Sequence, residues 1–261
     1  MSQLPYTLSK GQTPILISMP HNASEIPSDL KAHMQDYAQL SPDTDCFVDR
    51  LYEMAAEMGI GILKPHYSRY VIDLNRPPDD TNLYPGADTT GLCPVTCFDR
   101  RPIYLPGQEP TQQEIQHRIQ AYWQPYHQAL QTETQRLYDL FGTVLVYDAH
   151  SIASHVPRFF EGQLPDLNLG THNSQTCSPD LEAALVKVAE KSGYSWVLNG
   201  RFKGGYITRH YAQPEKRIYS FQLELSQATY MDEITREWDS LKSLQIKKIL
   251  KAFLVAALSN L

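Results

Sequence analysis

The sequence predicts an α/β protein with a mixed, largely parallel central sheet and helices on both faces of that sheet. Short apolar segments alternate with longer segments of helical periodicity, which is the order that builds parallel sheets. Several apolar segments also run directly into polar residues, as strands do where sites form at their carboxyl ends. A length of 261 residues fits one large domain or two small ones, but no long linker is apparent. We therefore expect a single domain over residues 1–261.

The elements nearest the amino terminus are two predicted strands with a helix between them. Residues 14–20, PILISMP, form an apolar run bounded by prolines, which indicates a buried strand leading to His21. The periodicity of residues 47–58 predicts a helix that stops at Gly59. Residues 61–64 return to a strand-like pattern.

A further strand, a long loop and a long helix are predicted next. Residues 70–74, YVIDL, have the pattern of a strand. Residues 77–110 hold many of the prolines and glycines, and their aromatic and apolar side chains indicate an ordered loop that forms a wall of a site. The capping box TQQE opens a predicted helix over residues 111–141, which we expect to bend at Pro125.

The second half of the chain alternates between predicted strands and helices. Residues 144–147, VLVY, form a buried strand that runs into Asp-Ala-His-Ser. Ser-Pro starts a helix over residues 178–193. Residues 194–198 and 218–225 are strand candidates, and the latter alternates between polar and apolar side chains. Residues 233–258 predict a long amphipathic helix whose apolar stripe packs on the core.

Charge and composition argue against several classes of protein. The formal net charge is −6 and no basic run is present, so a nucleic-acid partner is not expected. No apolar stretch reaches membrane-spanning length, so no membrane partner is expected. Four cysteines and a polar amino terminus without a signal-peptide pattern predict a cytoplasmic protein. Cys93 and Cys97 could form a CxxxC metal pair, but no second such pair supports a structural zinc site.

Four segments carry polar residues that apolar packing does not explain. They are His21, the run from Asp73 to Arg76, the run from Asp148 to Ser151, and Glu224. Two histidines and a carboxylate with an open fourth position form the usual catalytic zinc set, and a further carboxylate can act as general base. An Asn-Arg pair suits a substrate carboxylate. The sequence therefore predicts a metal-dependent active site with one divalent ion, zinc.

Each of these residues also has an ordinary structural interpretation. His21 could cap a loop, Asp73 and Arg76 could form a surface ion pair, and Glu224 could be a partly exposed strand residue. Their joint occurrence at strand ends favours the site. The remaining histidines are weaker candidates, on helical segments or near loops: His33, His66, His117, His127, His155, His172 and His210.

Long motifs in the chain resemble the N-formylglutamate amidohydrolase (deformylase) family. They include PHNASEIP, SRYVIDLNRPP, DAHSIAS, NGRFKGGYITRHY and QLELSQATYM, and the match runs from about Pro14 to Tyr230. The resemblance implies hydrolysis of N-formyl-L-glutamate to formate and L-glutamate, the last step of one route of histidine degradation. It also implies a small-molecule substrate and a zinc-exopeptidase architecture, similar to the zinc carboxypeptidases and aspartoacylase.

The wider similarity to those enzymes implies roles for individual residues. His21 and His150 resemble the two zinc histidines, and Asp73 resembles the carboxylate that orients the first of them. Glu224 resembles the general base. Arg69 is similar in position to the arginine of aspartoacylase that polarises the scissile carbonyl.

The third metal ligand departs from the carboxypeptidase pattern. The position three residues after the first histidine is Ser24 here, whereas those enzymes have glutamate. We favour Asp45, with Glu25 close behind, and both remain metal-ligand candidates. Asp43 and Asp49 are further alternatives.

Substrate contacts are expected from Asn75 and Arg76, which resemble the clamp on a substrate carboxylate, and from Ser151. Ser151 lacks a G-x-S-x-G elbow, which makes a serine hydrolase a weak alternative. N-formylglutamate has two carboxylates, so a second cation is needed. Arg201, Lys203 and Arg209 are available for this role, and we favour Arg209.

Two alternative functions stay open at this stage. The chain could remove another acyl group from an acidic amino acid, as a deacylase or carboxypeptidase. It could also bind acidic amino acids without catalysis, although a carboxylate such as Glu224 beside an anionic ligand argues against this. A monomer or small homo-oligomer is expected.

Overall fold

The fold is built on one seven-stranded sheet in the order β1-β3-β2-β4-β7-β5-β6. The computed structural model describes residues 4–261. The strands of the sheet are β1 (Tyr6–Ser9), β2 (Ile15–Ser18), β3 (Gly61–Pro65), β4 (Val144–Ile152), β5 (Leu167–Gly170), β6 (Trp196–Leu198) and β7 (Ile218–Ser226). Strands β3, β2, β4 and β7 run parallel to one another, while β1 and β5 are antiparallel to their neighbours β3 and β7. The predicted mixed, largely parallel sheet is confirmed.

Helices cover both faces of this sheet. They are α1 (Ser28–Lys31), α2 (Val48–Leu51), α3 (Gln112–Arg118), α4 (Gln124–Phe141), α5 (Pro179–Lys191), α6 (Tyr206–Tyr211) and α7 (Ser240–Leu258). One buried apolar cluster joins the sheet to α5 and α7, and a second joins it to α3 and α4. Successive strand residues alternate between these clusters, as Leu145 and Val146 do, because side chains of a strand point to opposite faces. Within residues 4–261, no helix combines the length and apolar character needed to cross a membrane.

The predicted strand over residues 70–74 is wrong, because this segment forms turns. The amide of Val71 donates to the carbonyl of Ser68, and the amide of Asp73 donates to the carbonyl of Leu92. The side chains of residues 70–74 are buried even so. The apolar pattern therefore comes from burial of a loop, not from pairing in the sheet.

Two predicted helices are shorter in the structure. Over residues 47–58, α2 is followed by a 3-10 turn at Glu53–Ala55, and the turns of this segment end at Gly59, which has a φ of +68°. The carboxyl-terminal helix begins at Ser240, not at residue 233. Its N-cap is Asp239, which accepts hydrogen bonds from Leu241 and Lys242, and the preceding residues form a ribbon of β8 (Met231–Asp232) and β9 (Glu237–Trp238).

The long predicted helix and the strand after it also differ in detail. The capping interaction at Thr111 is present, and the helix is interrupted by a π-helical turn, Ile119–Trp123, just before Pro125. π-Helical segments occur mostly as single turns within α-helices, as this one does. Strand β4 extends to Ile152, beyond the predicted end at Tyr147, because it pairs with β7 along its whole length. Strands β1, β5, β8 and β9 and helices α1 and α6 were not predicted.

Candidate active site

Neighbouring parallel strands bring the predicted histidines and glutamate to one edge of the sheet. His21 follows β2, while His150 in β4 lies directly opposite Glu224 in β7. Asp45 joins them from a loop, and its backbone amide donates to the carbonyl of His21 over 3.0 Å. All four side chains are buried.

His21, Asp45 and His150 form a compact cluster of ligand atoms. One donor atom from each lies within 4.8 Å of the others. The Asp45 Oδ2 atom is 3.0 Å from His150 Nδ1 and 3.8 Å from His21 Nδ1, and it accepts a hydrogen bond from the Ser151 amide over 3.1 Å. Both histidines therefore turn the same ring nitrogen towards one carboxylate.

The far ring nitrogen of His21 is held by a carboxylate. The Asp73 Oδ1 atom lies 2.7 Å from His21 Nε2, and Asp73 Oδ2 accepts a hydrogen bond from Arg69 over 2.7 Å. Burial lowers the pKa of His21, and the Arg69 charge acts in the same direction. Arg69 also lies 3.9 Å from Asp45 Oδ1 and 4.9 Å from the ring centre of Phe98.

The far ring nitrogen of His150 faces a second carboxylate, Asp148, at 3.0 Å. The Asp148 Oδ2 atom accepts hydrogen bonds from Asn75 over 3.0 Å and from Thr208 over 3.3 Å. Against the effect of burial, Asp148 and Asp45 hold the pKa of His150 well above its usual value. Each histidine is thus oriented by a carboxylate behind it, as metal-bound histidines commonly are.

This donor set fits a divalent metal ion. Two imidazole nitrogens and a carboxylate oxygen converge, the rings are fixed from behind, and the cluster lines an open cavity. His21, Asp45 and His150 are therefore the residues that could hold the ion.

The alternative carboxylates for the third ligand lie elsewhere. Glu25 is exposed, and its backbone carbonyl accepts a hydrogen bond from Ser68, so the sequence-based alternative of Glu25 as a ligand is not supported by its position. Asp43 accepts hydrogen bonds from Tyr70 and from the amide of Phe98. Asp49 pairs with Lys64 on the surface.

Glu224 is a buried carboxyl group beside the cluster. Burial is the largest cause that raises its pKa, to about 8, with Asp45 and Asp148 adding to the rise and His150 and Arg69 opposing it. Its Oε2 atom lies 3.5 Å from Gln222 Nε2, a weak contact. A carboxyl group in such surroundings is suited to proton transfer.

Three arginines line the cavity, namely Arg69, Arg76 and Arg201. The Nε atom of Arg76 is 3.9 Å from Asp73 Oδ2, whereas Arg201 donates from Nε to the carbonyl of Phe159 over 2.6 Å. Residues 83–98 of the long loop contribute Leu83, Tyr84, Thr89, Thr90 and Phe98 to the wall, as the sequence indicated.

Arg209, the favoured second cation, is not among the residues that line this cavity. Its Nε donates to the carbonyl of Gly204 and its Nη1 to the carbonyl of Leu83, each over 2.9 Å. The role of Arg209 as second cation stays a prediction, although its Nε and Nη1 donors already brace two backbone segments. Arg201, one of the alternatives named from the sequence, occupies the cavity wall instead.

Asn75 and Ser151 line the cavity, but their polar atoms are engaged by the protein. Asn75 Nδ2 contacts Asp148 and His150, and its Oδ1 accepts the amide of Ile207 over 2.8 Å. Ser151 Oγ accepts a hydrogen bond from Tyr230 over 2.7 Å. The role of Asn75 in binding a substrate carboxylate stays a prediction, and its observed contacts are with the histidine side of the site.

Sequence reasoning gave no role to Asp148, Tyr84, Phe159 or Gln222. Asp148 lies two residues before His150, and residues two apart on a strand lie on the same face of the sheet. The sequence therefore indicated that these two side chains share a face. The loop aromatic residues had no periodicity that could place them.

The fold and this cavity define an α/β enzyme with a histidine–carboxylate centre of the hydrolytic kind. Residues 13–231 match the profile of N-formylglutamate amidohydrolase. The chain belongs to the N-formylglutamate amidohydrolase family, and the prediction of an amide-hydrolysing enzyme is confirmed.

Individual relatives agree with this assignment. An N-formylglutamate deformylase of Pseudomonas aeruginosa is 50% identical over 228 residues, which cover 87% of this chain and 85% of the relative. One of Pseudomonas putida is 46% identical over 94% of both chains. The crystal structure of N-formylglutamate amidohydrolase from Ralstonia eutropha JMP134 superposes with a TM-score of 0.83 at 28% identity, over 97% of both chains.

Proposed function

We propose that this chain hydrolyses N-formyl-L-glutamate to formate and L-glutamate, with a divalent metal ion, zinc, held by His21, Asp45 and His150. Membership of the family and the names of its relatives support the reaction. The observation that carries the metal assignment is the buried cluster of two imidazoles and one carboxylate that faces the cavity. Nitrogen and carboxylate oxygen ligands of this kind suit zinc.

The chain's own residues supply the proton transfers. When bound, a divalent ion would supply Lewis-acid activation of water and of a carbonyl oxygen. Glu224 accepts a proton from the water molecule whose oxygen bonds to the formyl carbon. It then donates that proton to the amide nitrogen as the C–N bond breaks, which yields formate and the free amine of glutamate. The burial that raises its pKa favours this exchange.

Arg69 and Arg76 place charge where the substrate needs it. Arg69 lies beside His21 and Asp45, where its guanidinium can stabilise negative charge on the formyl oxygen. Arg76 is linked to the cluster through Asp73, which pairs with both Arg76 and His21. From this position Arg76 binds the α-carboxylate of the substrate. Ser151 and Asn75 keep Asp45 and His150 in position.

The biological setting follows from the same proposal. Release of glutamate from its formyl derivative serves as the last step of a histidine-degradation route. Four free cysteines in the part of the chain that the structure describes accord with a cytoplasmic location.

The direct test is an assay of formate release by the purified protein. We expect equal amounts of formate and glutamate from N-formyl-L-glutamate, and far less acetate from N-acetyl-L-glutamate. Absence of formate, or faster release of acetate, would contradict the proposed reaction and favour a different deacylase.

A further inference from the structure

Arg201 has a guanidinium group with two terminal nitrogens that no protein group binds within residues 4–261. Its Nε donates to the carbonyl of Phe159, which fixes the plane of the group. The Cζ atom lies 5.6 Å from the ring centre of Tyr84, 5.7 Å from Phe159 and 5.5 Å from Phe202. A cation held in an aromatic wall with two parallel N–H donors left over is suited to a carboxylate.

Arg76 and Arg201 differ in how they are connected to the cluster. Arg76 is linked to His21 through Asp73, which contacts both residues. Arg201 comes from the loop after β6 and forms no hydrogen bond or ion pair with His21, Asp45 or His150. Burial lowers the pKa of Arg201, and the charge of Arg76 acts in the same direction, while Tyr84 and Glu224 oppose the shift.

The two carboxylates of N-formylglutamate are also at two distances from the bond that breaks. The α-carboxylate is attached to the carbon that bears the scissile nitrogen, whereas the side-chain carboxylate lies beyond the methylene groups. With the amide at the cluster, Arg76, which is linked to the cluster through Asp73, meets the α-carboxylate, and Arg201 is left to meet the side-chain carboxylate.

We propose that Arg201 determines specificity by binding the side-chain carboxylate of the substrate through its two terminal nitrogens. This inference rests on the proposed function. Arg201 is half-buried, and a bound substrate that lacks the charge would cover it without an anion. One residue therefore both attracts glutamate and rejects neutral side chains.

Arg209 provides a matched control, because it lies in the same segment and has a different task. Its donors bind the carbonyls of Gly204 and Leu83, and its Cζ atom lies 4.7 Å from the ring centre of Tyr84. It holds the backbone of Leu83, which lines the cavity for every substrate, so its loss acts on every substrate alike.

The test compares kcat/KM for N-formyl-L-glutamate and N-formyl-L-glutamine in the wild type, Arg201→Met and Arg209→Met. We expect Arg201→Met to lose roughly 30-fold to several-thousand-fold on the glutamate substrate, the range for leaving one charged partner unpaired. Activity on the glutamine substrate should change little. Arg209→Met should lower both values by the same factor.

Two further results keep the outcome clear. Arg201→Lys retains the charge without the paired donors, so it should recover part of the lost discrimination between the two substrates. Circular dichroism of each variant checks that the fold is intact. An equal loss of activity on both substrates in Arg201→Met and Arg201→Lys would overturn the role of Arg201 while leaving the reaction in place. A wild-type protein that releases no formate from either substrate would overturn the proposed function, and this inference with it.

Discussion

The two ends of the cavity differ in how completely the protein satisfies its own charges. At the inner end, His21 and His150 share Asp45 between them, and the carboxylates of Asp73 and Asp148 lie behind their rings. At the outer end, Arg76 and Arg201 keep most of their donors free among the residues that the structure describes. The difference indicates that the inner end holds its own side chains in place, while the outer end has free donors that can bind an anionic ligand.

The physical reason for the difference is the cost of burial. A partly satisfied polar network in a low-dielectric interior is unfavourable, so an inner network that is always present has its partners built in. A cation at the outer end can remain partly solvated until a substrate carboxylate replaces the water. Arg69 Nε and Asp148 Oδ1 are exceptions at the inner end, because they are buried without a hydrogen bond. Glu224 is the clearest exception there, because it is buried with only a weak contact to Gln222.

That exception gives the largest expected effect. Glu224→Gln keeps the size of the side chain but removes the group that accepts and returns the proton, so turnover should fall by roughly 10²–10⁴-fold. Metal content and the affinity for L-glutamate should stay as in the wild type. Activity within a few-fold of the wild type would remove Glu224 from the role of general base.

A smaller effect is expected when the inner network loses one of its outlying carboxylates. Asp148→Asn leaves His150 without the anion behind its ring, and loss of such a partner typically lowers metal affinity or activity by about 10–100-fold. Competition with a chelator measures the affinity. Thr208→Val, which removes only the 3.3 Å hydrogen bond to Asp148, should have a milder effect in the same direction. Equal metal affinity in Asp148→Asn and the wild type would contradict the claim that the carboxylates of the inner end support the metal-binding histidines.

The residues on strands were the ones that the sequence could predict. His150 and Glu224 lie on neighbouring strands with clear apolar patterns, and His21 follows a third strand. Parallel strands share one carboxyl edge, so the residues at their ends meet irrespective of their distance in the sequence.

The residues on loops could be predicted by type but not by position. The apolar segment at residues 70–74 satisfies its backbone through turns, and a buried loop can have the same composition as a strand. Arg201 and Arg209 lie in one glycine-rich segment, and no periodicity distinguishes a side chain that lines a cavity from one that braces a backbone. Tertiary contacts alone decide between them.

Asp45 and Glu25 are the two candidates for the third metal ligand whose positions differ most clearly in the structure. Both are carboxylates on loops near His21, but Asp45 is buried beside both histidines and Glu25 is exposed. The two substitutions Asp45→Asn and Glu25→Gln each replace a carboxylate by its amide. They therefore form a matched pair of variants that tests the central claim, that His21, Asp45 and His150 hold a metal ion.

The most direct measurement is the metal content of purified Asp45→Asn and Glu25→Gln beside the wild type, by mass spectrometry, with formate release followed in parallel. We expect about one divalent ion per chain in the wild type and in Glu25→Gln, as a site with a single set of ligands requires. Asp45→Asn should lose most of its metal and its activity together. Metal retained in Asp45→Asn but lost in Glu25→Gln, or a wild type that is fully active without metal, would contradict the account.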